Sequence, residues 1–148
     1  MTLSLLFSAP IWATSRDDAN KLLALAGAGK VAEIRLMLDQ GVDPNVRFSD
    51  GYITALHKAV EQNQLEVMQL LIERGANIDA ETSDGMTPLV LAATAGREEA
   101  LRLLYTRGAA IDHRTQGGTT ALSLVSHSVR IRPIIVRLLV ELGANPNI

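Results

Sequence analysis

Residues 84–96 read Asp84-Gly85-Met86-Thr87-Pro88-Leu89-Val90-Leu91-Ala92-Ala93-Thr94-Ala95-Gly96. Proline has no backbone N–H, so Pro88 suits the first turn of a helix, where that donor would have no intrahelical partner. Thr87 stands immediately before it, with a hydroxyl able to accept from the free N–H groups of the same turn. The stretch therefore predicts a hairpin arm that feeds a short helix.

The same text returns on both sides. Asp50-Gly51-Tyr52-Ile53-Thr54-Ala55-Leu56-His57-Lys58-Ala59 keeps the threonine and adds a histidine, with one extra residue in its loop and Ala55 in place of proline. Gly118-Thr119-Thr120-Ala121-Leu122-Ser123 keeps the threonine and lacks proline and histidine. Leu22, Leu56, Leu89 and Leu122 hold the matching first-helix position. Further along each unit, Gly41, Gly75, Gly108 and Gly143 recur at intervals of 34, 33 and 35 residues, within DQGVDPNV, ERGANIDA, TRGAAIDH and ELGANPNI. A period of this size is the mark of a stacked repeat.

Between the motif and the glycine lies a second helical pattern. Its apolar positions are Ile34, Met37 and Leu38, then Val67, Met68, Leu70 and Leu71, then Ala100, Leu101, Leu103 and Leu104, and finally Ile135, Val136, Leu138 and Leu139. One face of each second helix is thus predicted to meet a core. Each glycine then ends its helix in a left-handed conformation that a Cβ would oppose. A single helix pair cannot bury its apolar face alone, so the units must stack. The fourth unit inserts two residues between its helices, and Pro133 is expected to open its second helix. At that end Val125, Ile135 and Leu142, with Ile134, are expected to leave an apolar patch able to recruit a partner or support weak self-association of a monomer.

These residues resemble the ankyrin-repeat family. Asp84 to Gly96 is similar to the family's DGxTPLHxAAxxG text with Val90 in the histidine position, and the resemblance runs from about Asp17 to Ile148. It implies an all-α solenoid of four helix-turn-helix repeats with β-hairpin loops, at about residues 17–48, 49–81, 82–114 and 115–148 of a domain covering 14–148. Hairpin tips are expected near 48–53, 82–86 and 115–119, and the first repeat, which has lost the motif, reads as a capping unit. The resemblance also implies that His57 bonds Thr54, and that hairpin tips and first-helix faces bind another protein.

Composition agrees with that class. Nearly half of the 148 residues are apolar (47%) but only 3% are aromatic, which favours helices packed through aliphatic side chains. Net charge is -2, with most acids between Asp17 and Asp84 and with Arg97, Arg102, Arg107, Arg114, Arg130, Arg132 and Arg137 beyond them. Dispersed arginines without a reading motif argue against nucleic acid as a ligand. Cysteine is absent, which removes thiolate chemistry, disulfides and cysteine-ligated zinc. The histidines are His57, His113 and His127, and their sequence contexts supply neither a catalytic triad nor metal-ligand spacing. Gly117-Gly118 lacks the lysine of a phosphate-binding loop. No catalytic, cofactor or metal site is expected, and no enzyme activity.

Met1 to Ala13 form an uncharged apolar run followed by polar Thr14-Ser15-Arg16-Asp17-Asp18. The break reads as a secretory signal remnant, and the alternative is an apolar arm over the first helix pair. The run is shorter than the roughly 20 residues a membrane span needs. Export places the protein in the bacterial periplasm, with an exported enzyme, such as a cell-wall hydrolase, as the partner to be masked or inhibited in an immunity role. The alternative is a cytoplasmic or secreted-effector adaptor that docks a regulatory or host protein. The expected contact surface centres on the second hairpin, where Phe48 and Tyr52 fall in one loop beside Arg47, Asp50 and Ile53. Met86, the first-helix residues Glu61 and Gln62, then Thr94 and His127, are expected to line the adjoining surface.

Overall fold

A computed structural model of the chain describes residues 15–48, 52–128 and 133–148. The apolar run at residues 1–13 lies outside the described residues. Eight helices follow one another: α1 (Arg16–Ala28), α2 (Val31–Asp39), α3 (Ala55–Glu61), α4 (Leu65–Glu73), α5 (Pro88–Ala95), α6 (Glu98–Thr106), α7 (Ala121–Ser126) and α8 (Pro133–Glu141). They form four hairpin pairs. The first helices stack α1 on α3, α3 on α5 and α5 on α7, while α2 meets α4 and α4 meets α6 behind them.

Local chemistry sets the helix ends. Thr54, Thr87 and Thr120 are extended N-cap residues whose side chains accept from the N–H three residues on, at His57, Val90 and Ser123. Ser15 starts the longer α1 with a capping box, and its hydroxyl and N–H hold the Asp18 carboxyl below its ordinary range. Pro88 occupies the opening turn of α5 and Pro133 begins α8, both as expected. Gly41, Gly75, Gly108 and Gly143 follow the second helices with φ between 89 and 95°, which an L side chain resists.

The core is one continuous ribbon through the stack. Leu22, Leu56, Leu89 and Leu122 are buried in the first-helix layer, and Ile34, Met68, Leu101, Leu104, Leu138 and Leu139 are buried in the second. Leucine and alanine suffice because adjacent helices lie close enough that larger rings would not fit between them.

One expectation fails at the C-terminal face. Val125 and Ile135 are only 2% and 3% exposed and Leu142 is packed against the core. Of the expected residues Ile134 is exposed, at 64%, and Val140, at 52%, joins it beside a groove of about 290 Å³ that includes Leu122, Val136 and Ile148. The physical reason is helical phase: Ile135 and Leu139 point inward with Val125, so their neighbours on α8 turn outward. Ser123 and Ser126 occupy the positions that Val90 and Ala93 hold in the unit before, and Ser126 Oγ returns its proton to the Leu122 carbonyl at 2.7 Å.

The loops between units project as three fingers, each closed by a backbone bond: Phe48 N–H to Ile53 O at 2.9 Å, Thr82 N–H to Met86 O at 3.1 Å, and Thr115 N–H to Thr119 O at 2.9 Å. These are the expected tips. Among the described residues their only β pairing is the isolated bridge Phe48–Ile53.

Candidate functional site

A side-chain ladder fixes the fingers relative to one another. Asn45, Asp79 and Asp112 each stand four residues beyond a repeat glycine, and each accepts a backbone N–H from the next unit. The bonds run from Asn77 N–H to Asn45 Oδ1 at 2.6 Å, Ala110 N–H to Asp79 Oδ1 at 2.9 Å, and Asn145 N–H to Asp112 Oδ1 at 2.9 Å. These bonds hold the finger bases in register, and neighbouring surfaces add into one binding edge.

His57 forms a second cross-unit tie. The backbone N–H of Thr54 can only donate, so Nδ1 at 3.2 Å is the acceptor and the ring proton sits on Nε2, aimed at the Met86 carbonyl at 3.1 Å. Thr54 Oγ1 lies 2.9 Å from Nδ1, the contact the family resemblance implied. The ring is 1% exposed. Burial pulls its pKa below the ordinary imidazole value, against the opposing effect of the carbonyls it meets. A neutral, fully engaged imidazole of this kind organises the finger behind it.

Around that frame the anticipated contact residues divide into two groups. Arg47 and Tyr52 lie together at the first finger, the guanidinium 5.4 Å from the ring centroid. Tyr52 is half exposed and holds a left-handed φ of 53° at the position where the second and third fingers place Gly85 and Gly118, both at 74°. Phe48 and Ile53 are half-buried across the bridge from each other, and Met86 is half-buried against the core, so these three support the finger more than they present it. Asp50 lies outside the described residues.

The second group lies at the opposite ends of the first helices. Glu61, Thr94 and His127 occupy one repeat position on α3, on α5 and after α7, with Gln62 next to Glu61. Since α3 has seven residues, about 10 Å of helix separates this row from the finger edge. The surface is thus not one cluster. Thr94 turns its hydroxyl back to the Val90 carbonyl at 3.1 Å, His127 donates from Nδ1 to Ser123 O at 2.7 Å, and Glu61 accepts from Lys58 Nζ at 2.6 Å, so each of the three is engaged within its own unit.

What the sequence reading missed is the second wall of the finger edge. A polar slot of about 470 Å³ is lined by Arg47 and Tyr52 of the first finger, by Asn77, Asp79, Glu81, Thr82 and Ser83 around the second, and by Gln116 of the third. The available signal was register, because residues 77–83 follow Gly75 as residues 43–49 follow Gly41.

The family model for ankyrin repeats (many copies) matches residues 22–72 and 56–104, more than half of the chain. The chain belongs to the ankyrin-repeat family. An ankyrin repeat protein of fowlpox virus is 36% identical over 73 residues, 49% of this chain and 10% of that protein. An ankyrin repeat-containing protein of Schizosaccharomyces pombe is 38% identical over 64 residues, 43% of this chain and 30% of its own length. The nuclear factor NF-kappa-B p105 subunit of Gallus gallus is 40% identical over 70 residues, 47% of this chain and 7% of that subunit. The matches cover less than a third of each of these proteins. As an ankyrin-repeat stack, the protein is a protein–protein interaction module, and among the described residues no helix is long and apolar enough to cross a membrane.

Proposed function

We propose that this ankyrin-repeat protein binds and masks an exported bacterial enzyme, in the manner of an immunity or self-protection inhibitor, with a cell-wall hydrolase as the leading class of target. The observation that carries the binding reading is the finger edge, where an exposed tyrosine and an arginine stack on a scaffold whose register is fixed by the Asn45, Asp79 and Asp112 bonds. Aromatic and arginine side chains supply most anchors in protein interfaces, and a scaffold ordered in advance loses little entropy on binding. A non-catalytic role is supported by the histidines: His57 directs Nε2 to the Met86 carbonyl of the next unit and His113 directs Nε2 to the Gly85 carbonyl of the second finger, an arrangement that supports loops.

Export rests on the uncharged apolar run at Met1–Ala13 and its abrupt polar boundary. The second reading is a cytoplasmic or secreted-effector adaptor, and the run Met1–Ala13 itself holds no lysine or arginine. Fractionation of the native host with N-terminal sequencing separates the two: a mature terminus near Thr14 in the periplasmic fraction supports export, and an intact cytoplasmic Met1 overturns it. Once a bound enzyme is purified with the protein, its activity should fall at equimolar ankyrin protein. Tyr52→Ala should weaken binding at least tenfold, while Arg107→Ala, at the C-terminal end of α6 and outside the slot lining, should stay within about threefold.

A further inference from the structure

Hydrogen bonds between described residues tie neighbouring fingers together. The second and third are stitched toward their tips, where Gln116 N–H donates to Asp84 O at 3.2 Å and His113 Nε2 donates to Gly85 O at 3.1 Å. The first and second are joined at the base, by Asn45 Nδ2 to Gly75 O at 3.0 Å and Asn77 N–H to Asn45 Oδ1 at 2.6 Å. Above that base the 470 Å³ slot opens between Tyr52 on one finger and Asp79, Glu81 and Thr82 on the next.

Its charges do not cancel. Arg47, the cation in the lining, already faces the Tyr52 ring, while the lining holds two carboxylates. Asp79 commits one oxygen to the Ala110 N–H, and Glu81 is half exposed with the His113 Nε2 3.6 Å away, a nitrogen whose proton is directed to the Gly85 carbonyl. A site with an aromatic face on one wall and carboxylates on the other suits a planar cation, which can stack on the ring and donate in its own plane.

We propose that the slot between the first two fingers reads an arginine side chain on an exposed loop of the partner protein, seated between the Tyr52 ring and the Glu81 and Asp79 carboxylates. This rests on the reading of the finger edge as the partner-binding surface and supplies the chemistry by which it selects. A phosphate-bearing partner is repelled by the same carboxylates, and a lysine loses the stacking and the paired donors.

The test uses the ¹⁵N-labelled full chain and two capped pentapeptides, Gly-Ala-Arg-Ala-Gly and its citrulline counterpart, which keeps the shape and removes the charge. The arginine peptide should shift amide resonances of Arg47, Tyr52, Ile53 and the residues from Asp79 to Ser83, and the citrulline peptide should bind at least tenfold more weakly. The charge-removing pair Asp79→Asn with Glu81→Gln should abolish the response, because an asparagine keeps the ladder bond, as Asn45 does one unit earlier. Should the pair fold poorly, Glu81→Gln alone should still weaken binding at least threefold. Equal response to citrulline, shifts centred elsewhere, indifference to these substitutions, or slot shifts with a short oligothymidylate would overturn the proposal. If the peptides fail while a purified partner enzyme still binds and is lost with Tyr52→Ala, the arginine reading falls and the masking reading stands.

Discussion

At the scale of single residues, His57 makes stability depend on pH. Its folded-state pKa is depressed by burial, so below about 6.5 the unfolded chain binds a proton that the folded chain refuses. The stability tied to this ring is complete above that value and declines as pH falls. Denaturant midpoints should therefore drop between pH 7.5 and 5, and His57→Val, copying Val90 of the next unit, should flatten that slope at a cost of about 1–3 kcal/mol at pH 7.5. Parallel slopes in parent and variant would remove His57 from the account. Asn63 offers the opposite case: it holds a φ of 56° and its buried Oδ1 has no hydrogen-bond partner among the described residues, where the units on either side place Gly29 and Gly96. Asn63→Gly should raise stability by up to about 1 kcal/mol in urea titrations, since relief of the buried oxygen exceeds the added freedom of glycine in the unfolded chain.

At the scale of elements, the fingers show how far a sequence can be read. Threonine caps, Pro88, Pro133 and the repeat glycines are local signals, each decided by the backbone beside it, and they gave the helix ends and the residues that close each finger. Burial on α8 depended on a helical phase that several apolar residues in succession left open, and there the reading included Val125 and Ile135 with the exposed Ile134 and passed over Val140. The slot was hidden because its walls come from different units, joined by contacts between residues some 30 positions apart. Gly85 illustrates such a contact: it has a φ of 74°, and a Cβ there would come within 2.6 Å of the Gln116 backbone nitrogen. Gly85→Ala should cost about 1–3 kcal/mol and release the third finger from the second. Hydrogen exchange at Gln116 would report this as lost protection, and an unchanged rate would show that the fingers are tied by other means.

At the scale of the whole molecule, the core is shared between units, so the cost of a cavity depends on depth in the stack. Leu89→Ala, inside α5 with units on both sides, should destabilise by about 2–5 kcal/mol, whereas Ile134→Ala on the open surface should stay within about 0.5 kcal/mol; similar losses for both in urea would contradict a continuous core. The ladder of Asn45, Asp79 and Asp112 has a mechanical consequence. Its rungs lie in series along the stack, so tension applied at the two ends of the molecule is felt by every rung at once and is relieved wherever one gives way. Extension should then proceed as a sequence of separate ruptures rather than one, each paying out a unit of about 33 residues, or roughly 110 Å of chain at about 3.3–3.6 Å per residue. In a single-molecule pulling trace this is a saw-tooth of evenly spaced, low peaks, and the protein behaves under load as a soft spring that lengthens by whole turns.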